Sequence, residues 1–185
     1  MLTDKYKLGM LLFIASEASF FILLILAYVS FHRNFGNGKE AAEHLDILTT
    51  GFFSIFLLSS SLTVWRAEVA LHSKQIVRGL AWLGVTILFG AIFLVGQGRE
   101  YAGLIEKNVT ISRDLFGTTF FTLTGFHGLH VFLGLIMLSI VTGLGLFSQP
   151  KEIPDAAFES VALYWHFVDV VWIFIFAIVY LWGVI

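Results

Sequence analysis

Leu115 to Phe147 reads LFGTTFFTLTGFHGLHVFLGLIMLSIVTGLGLF, without one Asp, Glu, Lys or Arg. About 20 mainly apolar residues of α-helix, each rising about 1.5 Å, cross roughly 30 Å of hydrocarbon. This run exceeds that length, so the span is placed at about residues 115–143, with tilt or helix ends standing outside the bilayer. Working outward, four more stretches meet the same requirement, at about 8–31, 47–65, 79–98 and 160–184. The connectors between them, 31–46, 66–78, 99–114 and 148–159, hold almost every charge and are too short for a soluble domain. Asn37-Gly38 and the pair Pro150 and Pro154 supply turn chemistry there. The sequence therefore predicts an all-α fold, a polytopic transmembrane helical bundle of five spans forming a single transmembrane domain over residues 1–185.

Composition agrees. The chain is 58% hydrophobic and 13% charged with a mean hydropathy of +0.88, which a single soluble core does not accommodate. A net charge of −2 with no basic block sets nucleic acid aside as a partner. The absence of cysteine excludes disulfides, thiolate metal centres and cysteine nucleophiles, leaving His and carboxylates as the available ligands. The first apolar run is longer than the roughly 7–15 residues of a signal-peptide core, carries Glu17 and lacks a small-x-small cleavage site, so it reads as a retained helix. The positive-inside rule gives only a slight bias. Lys5, Lys7, Arg66, Lys74, Arg78 and Lys151 fall on one side, and Arg33, Lys39, Arg99, Lys107 and Arg113 on the other. Lys5 and Lys7 directly before the first span favour the N-terminus inside, and five spans then put the C-terminus outside.

Small residues at Ser59, Ser60 and Ser61, at Gly84 and Gly90, and at Gly117, Gly125, Gly128 and Gly134 would let helices approach closely. The many Phe and Trp read as lipid-facing or inter-helix packing. The ionisable residues inside the spans carry more information. Glu17 lies about 13–14 Å into the first span by the helical rise, near the midplane, where a charge costs about 2.5–3.5 kcal/mol on insertion scales. Such an acid is protonated, paired, or facing a polar cavity, in a proton relay or simply bonded to a neighbouring helix. Thr124, His127 and His130 recur at i+3 steps and form one polar stripe. The last span carries His166 and Asp169, with Trp165 and Trp172 flanking Asp169 at i−4 and i+3. A His on the same or a facing helix is the least costly partner for Asp169. Inter-helix hydrogen bonding outweighs haem ligation for these histidines, because His127 and His130 point the same way and leave only His166 opposite. His32, His44 and His72 sit in or beside connectors and read as solvated.

Three segments go beyond a generic membrane protein: LGMLLFIASEASFF (Leu8 to Phe21), FGTTFFTLTGFHGLHVFLG (Phe116 to Gly134) and FESVALYWHFVDVVWIF (Phe158 to Phe174). They closely resemble the signature segments of subunit III of haem-copper oxidases, in the family's order and spacing. GQGREY, Gly96 to Tyr101, is similar to the family's segment at the end of the middle helix. Longer members of that family have seven helices, and this sequence starts where their third begins. The resemblance thus implies the short five-helix form of bacterial oxidases and the bacterial inner membrane. It also implies that another subunit or lipid occupies the place where the missing pair walls a lipid-filled cleft in the longer form.

The same resemblance matches Glu17 to the family's buried, carbodiimide-reactive acid linked to the mouth of the proton-uptake path. It matches His127, His130, Glu159, Trp165, His166, Asp169 and Trp172 to motif positions that are structural or lipid-contacting, and it assigns no metal ligand and no catalytic residue. The implied function is that of an accessory, non-redox subunit of a proton-pumping cytochrome c oxidase in aerobic respiration. Haem and copper then lie in partner subunits and phospholipid binds this one. The implied partners are subunit I directly and subunit II, with room for a subunit IV and a respiratory supercomplex. Subunit III of a quinol oxidase and the related nitric oxide reductase accessory protein are alternatives, the Glu-bearing first segment favouring the oxidase. A small transporter is the alternative from another class, opposed by the lack of an inverted repeat and of Pro-broken helices.

Overall fold

A computed structural model describes residues 2–32, 45–113, 115–147 and 155–182. The described residues form five α-helices and no strand: α1 (Leu2–His32), α2 (Ile47–His72), α3 (Ile76–Glu106), α4 (Leu115–Phe147) and α5 (Asp155–Phe176), the last continuing as a π-helical turn over Ala177–Leu181. All five are long and apolar enough to cross a membrane. His44, Arg33, Lys39 and Lys151 lie outside the described residues.

The helices outrun their apolar spans. Arg66 to His72 continue α2, and Arg99 to Glu106 continue α3, because Arg, Glu and Ala are good helix formers that need no hydrocarbon around them. The connector between α2 and α3 shrinks to Ser73, Lys74 and Gln75. Both helices end in the same device. Lys74 has φ 58° and Asn108 φ 61°, and each lets the chain turn back on the helix end. Gln75 N–H donates to Ala70 O (2.9 Å) and Lys74 N–H to Leu71 O (2.9 Å); Val109 and Asn108 repeat the pattern on Leu104 and Ile105. This left-handed cap satisfies carbonyls that the helix end would orphan. At its start, α2 is capped by Asp46, whose carboxylate accepts from Thr49 N–H at 3.0 Å and Thr49 Oγ1 at 2.6 Å.

α2 and α3 pack as a hairpin, α3 continues onto α4, and α5 touches α1, α2 and α4. α1 leans on α4 and α5 and leaves most of its surface outward. Leu12, Leu23, Val77, Ile140 and Phe147 are among the many apolar side chains turned to the exterior, the arrangement expected where lipid or another subunit is the solvent. Inside, Trp165, Trp172, Tyr164, Tyr180, Phe93, Phe116 and Phe120 are almost wholly enclosed. Trp165 fits because two helices present glycine to it. A Cβ at Gly90 of α3 would lie 2.7 Å from its Cη2, and one at Gly134 of α4 2.8 Å from its Cε3.

Candidate functional site in the membrane interior

Polar side chains within the apolar helices join them in pairs. Glu17 on α1 meets His130 on α4, Oε2 to Nε2, at 2.9 Å. The other ring nitrogen of His130 is 2.7 Å from Phe126 O. A carbonyl only accepts, so Nδ1 carries a proton and Nε2 faces the acid. Either Glu17 donates to a bare Nε2 or a protonated Nε2 donates to a carboxylate. In both cases the pair holds one shared proton and no net charge, which suits hydrocarbon. Phe21 edges the imidazole at 4.8 Å between centroids, and Tyr164 of α5 donates to His130 O at 3.2 Å. Three helices thus meet at His130.

Along α5, four positions face α2 in antiparallel register. Trp165 Nε1 donates to Ser60 Oγ at 2.8 Å, and Trp172 Nε1 to Ser54 Oγ at 2.9 Å. Between them Ser61 donates to Asp169 Oδ2 and lies 3.1 Å from His166 Nδ1. Asp169 was expected to find a histidine; its direct partner is the Ser61 hydroxyl, with His166 one bond further on. Its second oxygen, Oδ1, has no hydrogen-bond partner among the described residues.

His127 was expected to bond to another helix and does not. Both its ring nitrogens lack hydrogen-bond partners among the described residues, and the ring lies flat on Trp172, 4.8 Å between centroids and 24° between planes, with Phe93 and Phe21 at its edges. Three residues on a helix turn 300°, so His127 and His130 diverge by about 60°. That offset sends one ring to α5 and the other to α1. Glu159 sits near the start of α5, where His72 Nε2 of α2 approaches it at 3.4 Å.

One acid was missed. Glu100, assigned to a connector, stands in α3, where Thr50 Oγ1 of α2 donates to Oε1 at 2.8 Å and Tyr180 of the π turn to Oε2 at 2.7 Å. Gln97 and Tyr101 nearby bind Thr124 of α4, at its carbonyl (2.7 Å) and its hydroxyl (2.7 Å). The signal was available in GQGREY, whose polar residues recur every three or four positions and so share a face with the preceding apolar run. Among the described residues no three His, Cys, Asp or Glu side chains gather as a metal ligand set.

The class so defined is a polytopic membrane bundle whose helices are tied to one another through single polar side chains. The family model described as Cytochrome c oxidase subunit III matches residues 1–184. Cytochrome c oxidase subunit 3 of Corynebacterium diphtheriae is 39% identical over 96% of this chain and 88% of its own length. The proteins of the same name from Synechocystis and Bacillus subtilis are 36% and 35% identical, over 96% of this chain and 76% and 86% of theirs. The chain belongs to the cytochrome c oxidase subunit III family.

Proposed function

We propose that this chain is the accessory subunit III of a proton-pumping haem-copper oxidase that takes electrons from cytochrome c, in a bacterial inner membrane, with its N-terminus inside and its C-terminus outside. The family match along residues 1–184 carries the reading. Redox chemistry belongs to the partner subunits, subunit I and subunit II. The three histidines inside the helices support this division, since His130 is used by Glu17 and Phe126, His166 by Ser61, and His127 is enclosed by aromatic rings. The outward apolar faces of α1 and α4 offer surface for subunit I and for phospholipid. His127, His130, Glu159, Trp165, His166, Asp169 and Trp172 serve as scaffold and lipid contacts.

Within this reading Glu17 is the proton-holding acid of the subunit. Its support is the 2.9 Å contact between Glu17 Oε2 and His130 Nε2, across which one proton can be shared without a net charge. Two experiments test the proposal. The tagged chain, purified gently from native membranes, brings with it larger subunits carrying haem a and copper; a haem-free chain active alone overturns the accessory role. In that complex Glu17→Gln alters the rate of proton uptake or of inactivation during turnover, and no change in either removes Glu17 from proton handling.

A further inference from the structure

At the end of the bundle where α1 and α5 begin and α2 ends, a groove of about 290 Å³ opens among three helices. Leu11 of α1, Glu68 of α2 and Glu159, Ser160, Leu163 and His166 of α5 line it. It is acidic at the mouth and apolar on its walls, and His166 is the deepest polar group, about 10 Å along α5 from Glu159 by the helical rise. Beyond His166 the polar chain continues. His166 Nδ1 lies 3.1 Å from Ser61 Oγ, and Ser61 donates to Asp169 Oδ2. The chain ends on Asp169, which is 3% exposed and whose Oδ1 meets no hydrogen-bond partner among the described residues.

We infer that this groove is the mouth of a one-sided proton route to Asp169, so that the chain carries a second proton-exchanging acid, separate from Glu17. The donor directions permit it. Ser61 has one hydroxyl hydrogen and gives it to Asp169, so the Ser61 oxygen accepts from Nδ1–H of His166. A proton arriving from the groove on Nε2 of His166 makes an imidazolium. Nδ1–H then passes its proton to Ser61 Oγ as Ser61 passes its own to Asp169 Oδ2. The result is a neutral carboxylic acid, an intact serine and a neutral His166 protonated on Nε2; release runs the same steps backwards. One proton enters and one carboxylate charge disappears, which in hydrocarbon is a favourable exchange.

The titratable groups around the route are Glu68 and His72 on α2, Glu159 and His166 on α5, and His127 on α4, the last stacked on Trp172 one turn beyond Asp169. Glu17 on α1 is engaged with His130, and Glu100 on α3 with Thr50 and Tyr180 toward the opposite end. The inference rests on the membrane-spanning bundle and not on any role for Glu17.

The test uses the purified oxidase complex in lipid vesicles sorted by orientation. The pH is stepped on the outer side only, and the infrared carbonyl band of Asp169, assigned as the one lost in Asp169→Asn, is followed in time. The band responds when the end where α1 begins faces outward. Ser61→Ala slows that response about tenfold or more, equivalent to about 1.4 kcal/mol on the transfer barrier, while Ser61→Thr, which keeps the hydroxyl, restores it. His166→Gln slows it independently, so the inference stays testable if Ser61→Ala fails to assemble. A band that never responds, a response from the opposite side, or an unslowed response in Ser61→Ala or His166→Gln overturns the route. None of these outcomes bears on the Glu17→Gln experiment.

Discussion

Trp165 of α5 lies so close to Gly134 of α4 that a Cβ on the glycine would sit 2.8 Å from the indole Cε3. The indole is fully buried and its N–H is tied to Ser60, so it has nowhere to retreat. Gly134→Ala and Gly90→Ala should each destabilise the bundle by about 1–3 kcal/mol through overpacking. Gly84→Ala, with nothing within 4 Å of its added methyl, should be neutral or gain up to about 1 kcal/mol of helix propensity. Thermal melting of the purified complex, read by loss of this subunit, ranks the three. Equal melting of Gly84→Ala and Gly134→Ala would contradict the packing.

Ser54 accepts the indole N–H of Trp172 at 2.9 Å in the buried interior of the bundle. Ser54→Ala removes that acceptor and should cost between about 0.6 and 1.7 kcal/mol, the average and the maximum measured for hydrogen bonds between membrane helices. Ser54→Thr keeps an acceptor and should cost less. Trp172 fluorescence is the second check, since loss of the indole hydrogen bond shifts its emission while a purely steric change at Ser54 leaves the bond in place.

The helices were legible because each contains an apolar run that no other architecture in this chain can hide. Their ends were less so. Arg66 to His72 and Arg99 to Glu106 look like connectors by charge, yet an α-helix satisfies its own backbone on either side of the membrane boundary, so hydropathy marks the bilayer and not the helix. Glu17 and His130 each stood out as polar residues in apolar runs, whereas their pairing spans 113 residues and belongs to tertiary packing. Asp169 found Ser61 because a hydroxyl on a facing helix satisfies an acid as well as a ring does, and serines are too common for pattern to select one. Glu100 was lost to the connector for the same reason the helix ends were.

Lys74 holds φ 58° at the end of α2 and Asn108 holds φ 61° at the end of α3. A side chain with Cβ pays about 1–2 kcal/mol in this region, asparagine less than most, and glycine nothing. Lys74→Gly should therefore stabilise the α2–α3 hairpin by about 1 kcal/mol, and Asn108→Gly by less. A β-branched Lys74→Val should do the reverse. The order Gly above Lys above Val in melting temperature is the expected result, and any other order argues against a left-handed cap at this turn.

Asp46 lies outside the membrane spans and supplies the pH dependence. The hydrogen bond from the Thr49 side chain, and next that from the Thr49 backbone, hold its carboxyl below the usual carboxylate range. Its contribution is therefore present in full above the unfolded value of about 3.9 and is lost as pH falls through the lower folded value. Asp46→Ala should cost about 1 kcal/mol at neutral pH, a typical helix-cap loss, and the difference from the unsubstituted protein should shrink in strong acid. Asp46→Asn keeps the cap without the titration, so its melting temperature should fall less on acidification. A constant gap between Asp46→Ala and the unsubstituted protein down to acid pH would assign the loss to something other than the carboxylate.

The Glu17 and His130 pair makes a prediction about stability that is independent of proton transfer. If the two share one proton, each single replacement leaves a polar atom facing hydrocarbon, a bare Nε2 in Glu17→Ala and an unpartnered acid in His130→Leu. Replacing both removes the orphan along with the bond. The double variant should then be less destabilised than the sum of the singles, with a coupling of about 1–2 kcal/mol. Phe126 O keeps His130 Nδ1 engaged throughout the Glu17 series, so the coupling reports the Nε2 contact alone. Glu17→Gln offers the internal control, because an amide N–H donates to the bare Nε2 and should recover most of the loss seen in Glu17→Ala. Additive costs across the cycle would mean that the 2.9 Å contact contributes nothing to holding α1 against α4, and that α1 is kept in place by its packing on α5.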